Sequence, residues 1–256
     1  MDLILNLILA VVQGILEWFP ISSSGHLVLV ETFLGAQSRL NFHVALHFGT
    51  LMALFTYFGK DITLILKDFL NGKWNTLNAR IGFLILVASI PIAVIGIIFG
   101  SFFNTLSNNF LLLGFGWLIT SLVLFIGGFS KLKNKRSMGF MNAFLIGIAQ
   151  VVAIIPGVSR SGMTISSGLF FGLNEKQAIK FSYLLAIPAI IGANLFTFGN
   201  TKIPLEFLLP TLLCFFVALI FMNFSFKYIL NNRKNLKWFG IYTLILGIIT
   251  IIVSLI

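Results

Sequence analysis

Two short serine-and-glycine loops interrupt an apolar chain: Ser22-Ser23-Ser24-Gly25-His26 and Ser159-Arg160-Ser161-Gly162-Met163-Thr164. Each lies just after a proline, Pro20 or Pro156, that stops a preceding helix. Serines are favoured helix N-caps, but a cap needs one hydroxyl. The rest, with the free N–H groups of the next helix and its positive dipole end, make a site that favours anions. Thr164 extends the second set, and Arg160 adds a planar donor fork suited to gripping phosphate from two sides.

The helix before the first loop carries Asn6, Ala10, Gln13, Gly14 and Glu17 on one face, at i, i+4, i+7, i+8 and i+11. Gln13 and Glu17 are one turn apart and reach a common point. A carboxylate or guanidinium at membrane depth is expensive and faces protein or water, so Glu17 is the expected counter-charge of Arg160. A purely structural ion pair would leave the surrounding serines unexplained. His43 and His47 also stand one turn apart, with Thr50 on their face, but no third ligand completes a zinc motif. His47 is read as lining a pocket or steadying a residue that does; His43 receives no role.

The elements that must hold these residues are membrane helices. Of 256 residues, 58% are hydrophobic and 9% charged, with mean hydropathy +1.04. A soluble domain carries roughly a quarter charged residues. Spans are expected at Leu40–Gly59, Ile81–Phe103, Phe110–Gly128, Phe181–Phe198, Leu205–Phe226 and Trp238–Ile256, near the roughly 20 residues a bilayer requires. Leu3–Leu34 and Gly139–Gly172 each read as an apolar helix, a Pro/Ser/Gly break and a second short helix, and so as re-entrant hairpins. Two short tilted spans in each region are the alternative. The fold class is an all-α integral membrane protein of about six transmembrane helices plus two re-entrant hairpins, in one membrane domain over residues 1–256. Cys214, the only cysteine, excludes an intramolecular disulfide and reads as a small hydrophobe. The first helix lacks a basic leader and a small-residue cleavage site, so it reads as part of the mature protein. The tryptophans read as interfacial anchors and the phenylalanines as core and lipid-facing bulk.

The net charge of +10 raises nucleic acid as a partner, but its placement argues against it. Fourteen of the 17 basic residues fall in four loops, at 60–80, 131–136, 176–180 and 227–237. Arg39 and Lys202 lie on the other side in this topology. That asymmetry makes the basic loops cytoplasmic and turns both termini and the loop Asn104–Asn109 outward. An internal repeat points the same way. Gln13 precedes Ser22 by nine residues and Gln150 precedes Ser159 by nine, and Phe42-x-x-x-Leu46 recurs as Phe181-x-x-x-Leu185. Three spans separate the hairpins, so pseudo-repeats of roughly 1–128 and 139–256 would be inverted across the membrane, with a polar site where the two breaks meet.

Gln13-x-x-x-Glu17, running into Pro20-Ile21-Ser22-Ser23-Ser24-Gly25-His26, resembles the (Glu/Gln)-x-x-x-Glu and Pro-x-Ser-Ser-x-Gly-His signature of the undecaprenyl-diphosphatases, the bacitracin-resistance proteins. Pro156-Gly157-Val158-Ser159-Arg160-Ser161-Gly162, followed by Thr164, resembles that family's second motif, Pro-Gly-x-Ser-Arg-Ser-Gly. The resemblance covers essentially the whole chain. It implies a bacterial inner-membrane enzyme that hydrolyses undecaprenyl diphosphate to the monophosphate, recycles the carrier lipid for peptidoglycan, gives bacitracin resistance and opens its site outward. It also implies a divalent cation, Mg²⁺ or Ca²⁺. The expected roles are then catalysis by Glu17, Ser23, His26 and Arg160, with Ser23 as nucleophile and His26 as general acid or base. Ser22, Ser24, Gly25, Ser159, Arg160, Ser161, Gly162 and Thr164 would bind phosphate, while Gln13 and Glu17 would hold the cation. Metal-activated water in place of the serine is equally open. Two positions depart from the family: Gln13 where many members carry Glu, and His43 where an acidic residue is common. Both bear on metal affinity. The competing readings are a polyprenyl-phosphate flippase or secondary transporter using the same site, since inverted repeats with half-helices serve transport as well, and a membrane scaffold with no activity.

Overall fold

The structure, a computed structural model, describes residues 3–35, 40–106, 109–130, 138–198 and 204–255. Arg39, Lys202 and the basic run at 131–136 lie outside them. The described residues form eleven α-helices and no strand. They are α1 (Leu3–Leu16), α2 (Ser23–Phe33), α3 (Leu40–Tyr57), α4 (Gly59–Leu70), α5 (Leu77–Leu106), α6 (Phe110–Phe129), α7 (Phe140–Val152), α8 (Arg160–Phe170), α9 (Glu175–Phe198), α10 (Leu208–Phe224) and α11 (Leu236–Leu255). A 3₁₀ turn, Leu205–Phe207, leads into α10; a π-helical turn, Ser225–Ile229, and a second 3₁₀ turn, Arg233–Asn235, connect α10 to α11.

This is a multi-pass membrane protein. Among the described residues, five helical stretches are long and apolar enough to cross a bilayer: Leu77–Phe99, Phe110–Phe129, Glu175–Phe198, Leu205–Lys227 and Arg233–Leu255. Helices α3 and α4 pass the same test together as one bent pair, a sixth candidate crossing. Their outer faces carry exposed apolar side chains such as Ile97, Leu195 and Phe216, which suit contact with lipid tails. At 1.5 Å per residue, α1 and α7 extend only about 20 Å, well short of a core roughly 30 Å thick. Each is followed by a break and a second short helix, as expected of the hairpins.

Residues 60–80 differ from the expected loop. Gly59–Leu70 is helical and turns 78° from α3 at Phe58. It is amphipathic, with Asp61 in its first turn and Lys67 in its last, both favourable to the helix dipole. Ile65 and Phe69 lie against Gly82 of α5. Too few apolar residues in a row hid it from a hydropathy reading; its signal is the 3.6-residue period.

Contacts among the basic segments tie them to one end of the bundle. Lys180 Nζ lies 2.6 Å from Asp61 Oδ1, Arg80 donates to Met138 O at 3.1 Å, and Arg233 Nε donates to Glu175 Oε1 at 2.8 Å. Helix packing brings the halves together: α1 lies on α10, α7 on α5, α3 on α9 and α6 on α11. Close approach is built in at Gly14, where a Cβ would crowd Val217 and the Cys214 carbonyl. Cys214 itself is fully buried, as its apolar surroundings implied.

Candidate active site

The two breaks face each other across α6. At membrane depth a broken helix must find partners for its free carbonyls within the protein, and here side chains from distant elements supply them. Trp18 O accepts from Tyr183 Oη at 2.8 Å and from Ser225 Oγ at 3.2 Å. Phe19 O accepts from Ser161 Oγ at 3.0 Å, a direct bond from one break to the other. Ile21 O accepts from Trp117 Nε1 at 3.1 Å, and Gly157 O from Thr120 Oγ1 at 2.9 Å. Gly116 lets α6 touch the second break, where a Cβ would collide with the Pro156 carbonyl oxygen.

Both following helices start alike. Ser22 caps α2 through its Oγ, which accepts from Gly25 N at 3.4 Å; Ser159 caps α8, accepting from Gly162 N at 3.1 Å. The next turn's first bonds run from His26 N to Ser22 O and from Met163 N to Ser159 O. That leaves the N–H groups of Ser23 and Ser24, and of Arg160 and Ser161, without an intrahelical acceptor. Ser22 is held at φ 66°, the one non-glycine among the described residues in the left-handed region. Such backbone persists only where the surroundings over-determine it, typically at a functional site.

A cavity of about 270 Å³ opens between the breaks, its polar wall formed by Glu17, Ser22, Ser23, Ser24, His47, Ser159, Arg160 and Ser161. Glu17 is its hub. Its Oε1 accepts from Arg160 Nη2 at 2.6 Å, and its Oε2 accepts from Ser23 Oγ at 2.6 Å and Gln13 Nε2 at 2.9 Å. Gln13 Nε2 is also 2.9 Å from His47 Nδ1. With both amide hydrogens committed, Nδ1 is an acceptor, which assigns the proton of the neutral His47 ring to Nε2. Arg160 Nη1 donates to Ser182 O at 3.4 Å. Ala153 of the second break and Ala189, Ile190 and Ala193 of α9 form the apolar wall. Ala193 is exposed, so the cavity is open along α9.

The structure therefore gathers Glu17, Ser22, Ser23, Ser24, Ser159, Arg160 and Ser161 at one wall, with Gln13 directly behind Glu17. It places four expected residues elsewhere. His26 does not line the cavity: its Nδ1 lies 2.7 Å from Ser22 O and its Nε2 2.8 Å from Tyr242 Oη, with the ring stacked on Tyr242. Thr164 bonds Ser182 Oγ at 2.6 Å, and the N–H groups of Gly25 and Gly162 serve the caps. His47 does reach the cavity. The reading of the tryptophans as interfacial anchors needs correction for two of them: Trp18 and Trp117 are fully buried, whereas Trp74 and Trp238 are exposed. Thr120, Ser182, Tyr183 and Ser225 also serve the site, bonding the two breaks from α6, α9 and the turn after α10. Their signal is a polar group inside an apolar span, where it must bond another element. Glu31 is buried and lies 2.6 Å from His43 Nε2.

No group of three His, Cys, Asp or Glu side chains among the described residues is placed to hold a metal ion. One carboxylate, already facing a guanidinium, would not hold a divalent cation by itself. Gln13 Oε1, however, is buried beside Glu17 with no partner. Mg²⁺ commonly takes one or two carboxylates and completes its shell with substrate phosphates and water. The donor set fits a cation shared with a phosphorylated substrate.

The bacitracin resistance protein BacA family model matches residues 6–249. A protein of Methanosphaera stadtmanae named undecaprenyl-diphosphatase is 38% identical over all of this chain and 99% of its own length. Proteins of the same name from Carboxydothermus hydrogenoformans and Korarchaeum cryptofilum are 38% and 34% identical, each covering 97% of this chain and 96% and 98% of their own lengths.

Proposed function

This chain belongs to the bacitracin resistance protein BacA family, and on that premise we propose that it hydrolyses undecaprenyl diphosphate to undecaprenyl phosphate and inorganic phosphate. The observation that carries the reading is the Glu17 carboxylate, which holds a serine hydroxyl on one oxygen and an arginine on the other at a cavity wall. A nucleophile bonded to its base, beside a group that grips phosphate, is the arrangement that phosphoryl transfer requires.

In the proposed reaction the diphosphate enters between the loops. Arg160, the N–H groups of Ser23, Ser24 and Ser161 and the Nε2–H of His47 hold its oxygens. Ser23 Oγ attacks the terminal phosphorus and gives its proton to Glu17. An Oγ–P bond forms, the bridging P–O bond breaks, and undecaprenyl phosphate leaves with the proton that Glu17 returns. Glu17 then takes a proton from the water that attacks phosphoserine and delivers it to Ser23 Oγ as inorganic phosphate departs. A cation held by Glu17 and Gln13 Oε1 would neutralise charge on the phosphate oxygens. His26 acts through position, tying the Ser22 carbonyl to Tyr242 of α11, rather than as the acid or base its type suggested.

The chain is read as one membrane domain with pseudo-repeats over roughly 1–128 and 139–256; the exchange-related packing of α1 on α10 and α7 on α5 supports that reading. Along α9 the cavity residues Ala189–Ala193 lie well beyond Glu175–Lys180, so the site opens away from the basic end. With the basic loops cytoplasmic, that is the outer face of a cytoplasmic membrane. The gap along α9 lets a polyprenyl tail remain in lipid. Recycling of the carrier for peptidoglycan, and bacitracin resistance, follow from this activity.

Purified protein in detergent, given undecaprenyl diphosphate, is expected to release phosphate with Mg²⁺ or Ca²⁺ present and to stop on chelation. Transport needs two compartments and hydrolysis does not, so absence of phosphate release under these conditions rejects the enzyme reading.

A further inference from the structure

A second cavity, of about 520 Å³, lies at the basic end of the bundle. It is lined by Phe129 and Ser130 at the end of α6, Glu175 at the start of α9, and Arg233, Lys234 and Lys237 around the start of α11. Thr120, which binds the second break, precedes Ser130 by ten residues, roughly 15 Å along α6. The two cavities are separate.

Arg233 is 7% exposed. Its Nε donates to Glu175 Oε1 at 2.8 Å, and its Nη1 to Ser130 O at 2.9 Å and Ser130 Oγ at 3.3 Å. Its Nη2 is buried with no partner among the described residues. A buried donor left unbonded is destabilising, the more so on a charged group. The charges around it are out of balance too. Three cations face one carboxylate, and Lys234 and Lys237 stand at the N-terminus of α11, whose dipole already favours negative charge. Lys237 Nζ lies 5.5 Å from the ring centre of Trp238. Trp238 and Phe129 are 64% and 74% exposed. Exposed aromatics at helix ends mark headgroup depth.

We propose that this cavity binds the phosphate of an anionic membrane lipid, with Lys234 and Lys237 as its donors beside the buried Arg233 and the acyl chains leaving past Phe129. An anion there balances the excess of cations over the single carboxylate, and the aromatic level places its source in the bilayer. Basic pockets between helices commonly take lipid headgroups at this depth. The site owes nothing to the proposed hydrolysis.

Arg233 also bridges α6 and α9, so its removal confounds binding with folding; the test uses the exposed end of the site. The full chain, delipidated in neutral detergent, is offered equimolar phosphatidylglycerol and phosphatidylcholine, and bound lipid is counted by native mass spectrometry. The expected result is one retained phosphatidylglycerol, preferred roughly tenfold, and loss of that preference in Lys234→Gln/Lys237→Gln. Lys60→Gln/Lys67→Gln removes the same charge from α4 and is expected to keep it. Equal retention of both lipids, or equal loss in both double variants, overturns the proposal. So does displacement of the lipid by millimolar inorganic phosphate, which would assign the cavity to the free anion. Phosphate release in neutral detergent is expected to be unchanged in Lys234→Gln/Lys237→Gln.

Discussion

Set side by side, the α1–α2 and α7–α8 hairpins place different chemistry at equivalent points: Gln13 and Glu17 against Gln150 and Ile154, and Ser23 against Arg160. The scaffold around these positions is shared. Each hairpin stops at a proline, caps its second helix with a serine and leaves two N–H groups without an intrahelical acceptor. The Gln13 amide hydrogens bind Glu17 and His47, whereas Gln150, equally buried, has neither amide atom bonded. In the proposed reaction the backbone supplies anion affinity on both sides, while the side chains divide a base and nucleophile from a cationic grip. Two carboxylates, or two guanidiniums, would repel across a cavity inside the membrane; one of each compensates the other.

The sharpest way to break that division is to remove the grip. Arg160→Ala is expected to lower kcat/KM for phosphate release by about 10³-fold with the fold intact, and Arg160→Lys to recover little, because one ammonium cannot match a planar fork. Activity within tenfold of the original protein would mean that the N–H groups of the breaks alone bind the diphosphate.

On the first hairpin, Glu17→Gln is expected to reduce kcat by about 10²–10⁴-fold as the base is lost. Rapid-quench experiments with radiolabelled diphosphate should trap phosphoserine in the original protein and none in Ser23→Ala. A Ser23→Ala variant that retains full turnover would transfer the attack to water and leave the serine a structural partner of Glu17.

The smallest effects compare the two glutamines directly. Gln13→Leu removes a hydrogen bond to a charged group and is expected to cost about tenfold in kcat/KM. Gln150→Leu removes two unbonded polar atoms, so activity should stay within about twofold while Tm rises by roughly 2–6 °C in a thermal unfolding assay. If both substitutions behaved alike, the halves would share the chemistry more evenly than their side chains imply.

Much of this was legible in the chain. Apolar runs located the spans, since burying some 20 residues in lipid leaves a strong compositional trace. Proline, serine and glycine located the breaks, since stopping and capping a helix are local events. Other features were not legible because their signal is not local. Trp117 reads as any aromatic in a span until α6 is seen to carry its indole to the Ile21 carbonyl. Helix α4 reads as a loop because its charged face masks its apolar one. Glu31 gave no sign of its partner His43, which lies on another helix. His26, one residue past the loop glycine, gives no sign in the sequence that its ring lies against Tyr242, more than 200 residues away.

The amino-acid sequence by itself determined that this is a membrane protein with two capped breaks carrying serines, one carboxylate and one guanidinium. Those properties follow from hydrophobic length and from backbone chemistry within a turn or two. Only the tertiary structure decided that the breaks meet across α6, that Glu17 holds Ser23 and Arg160 together, and that His47 rather than His26 reaches the cavity. Which side chain of a helix faces which neighbour depends on how whole helices rotate and pack, and no short stretch of residues carries that information.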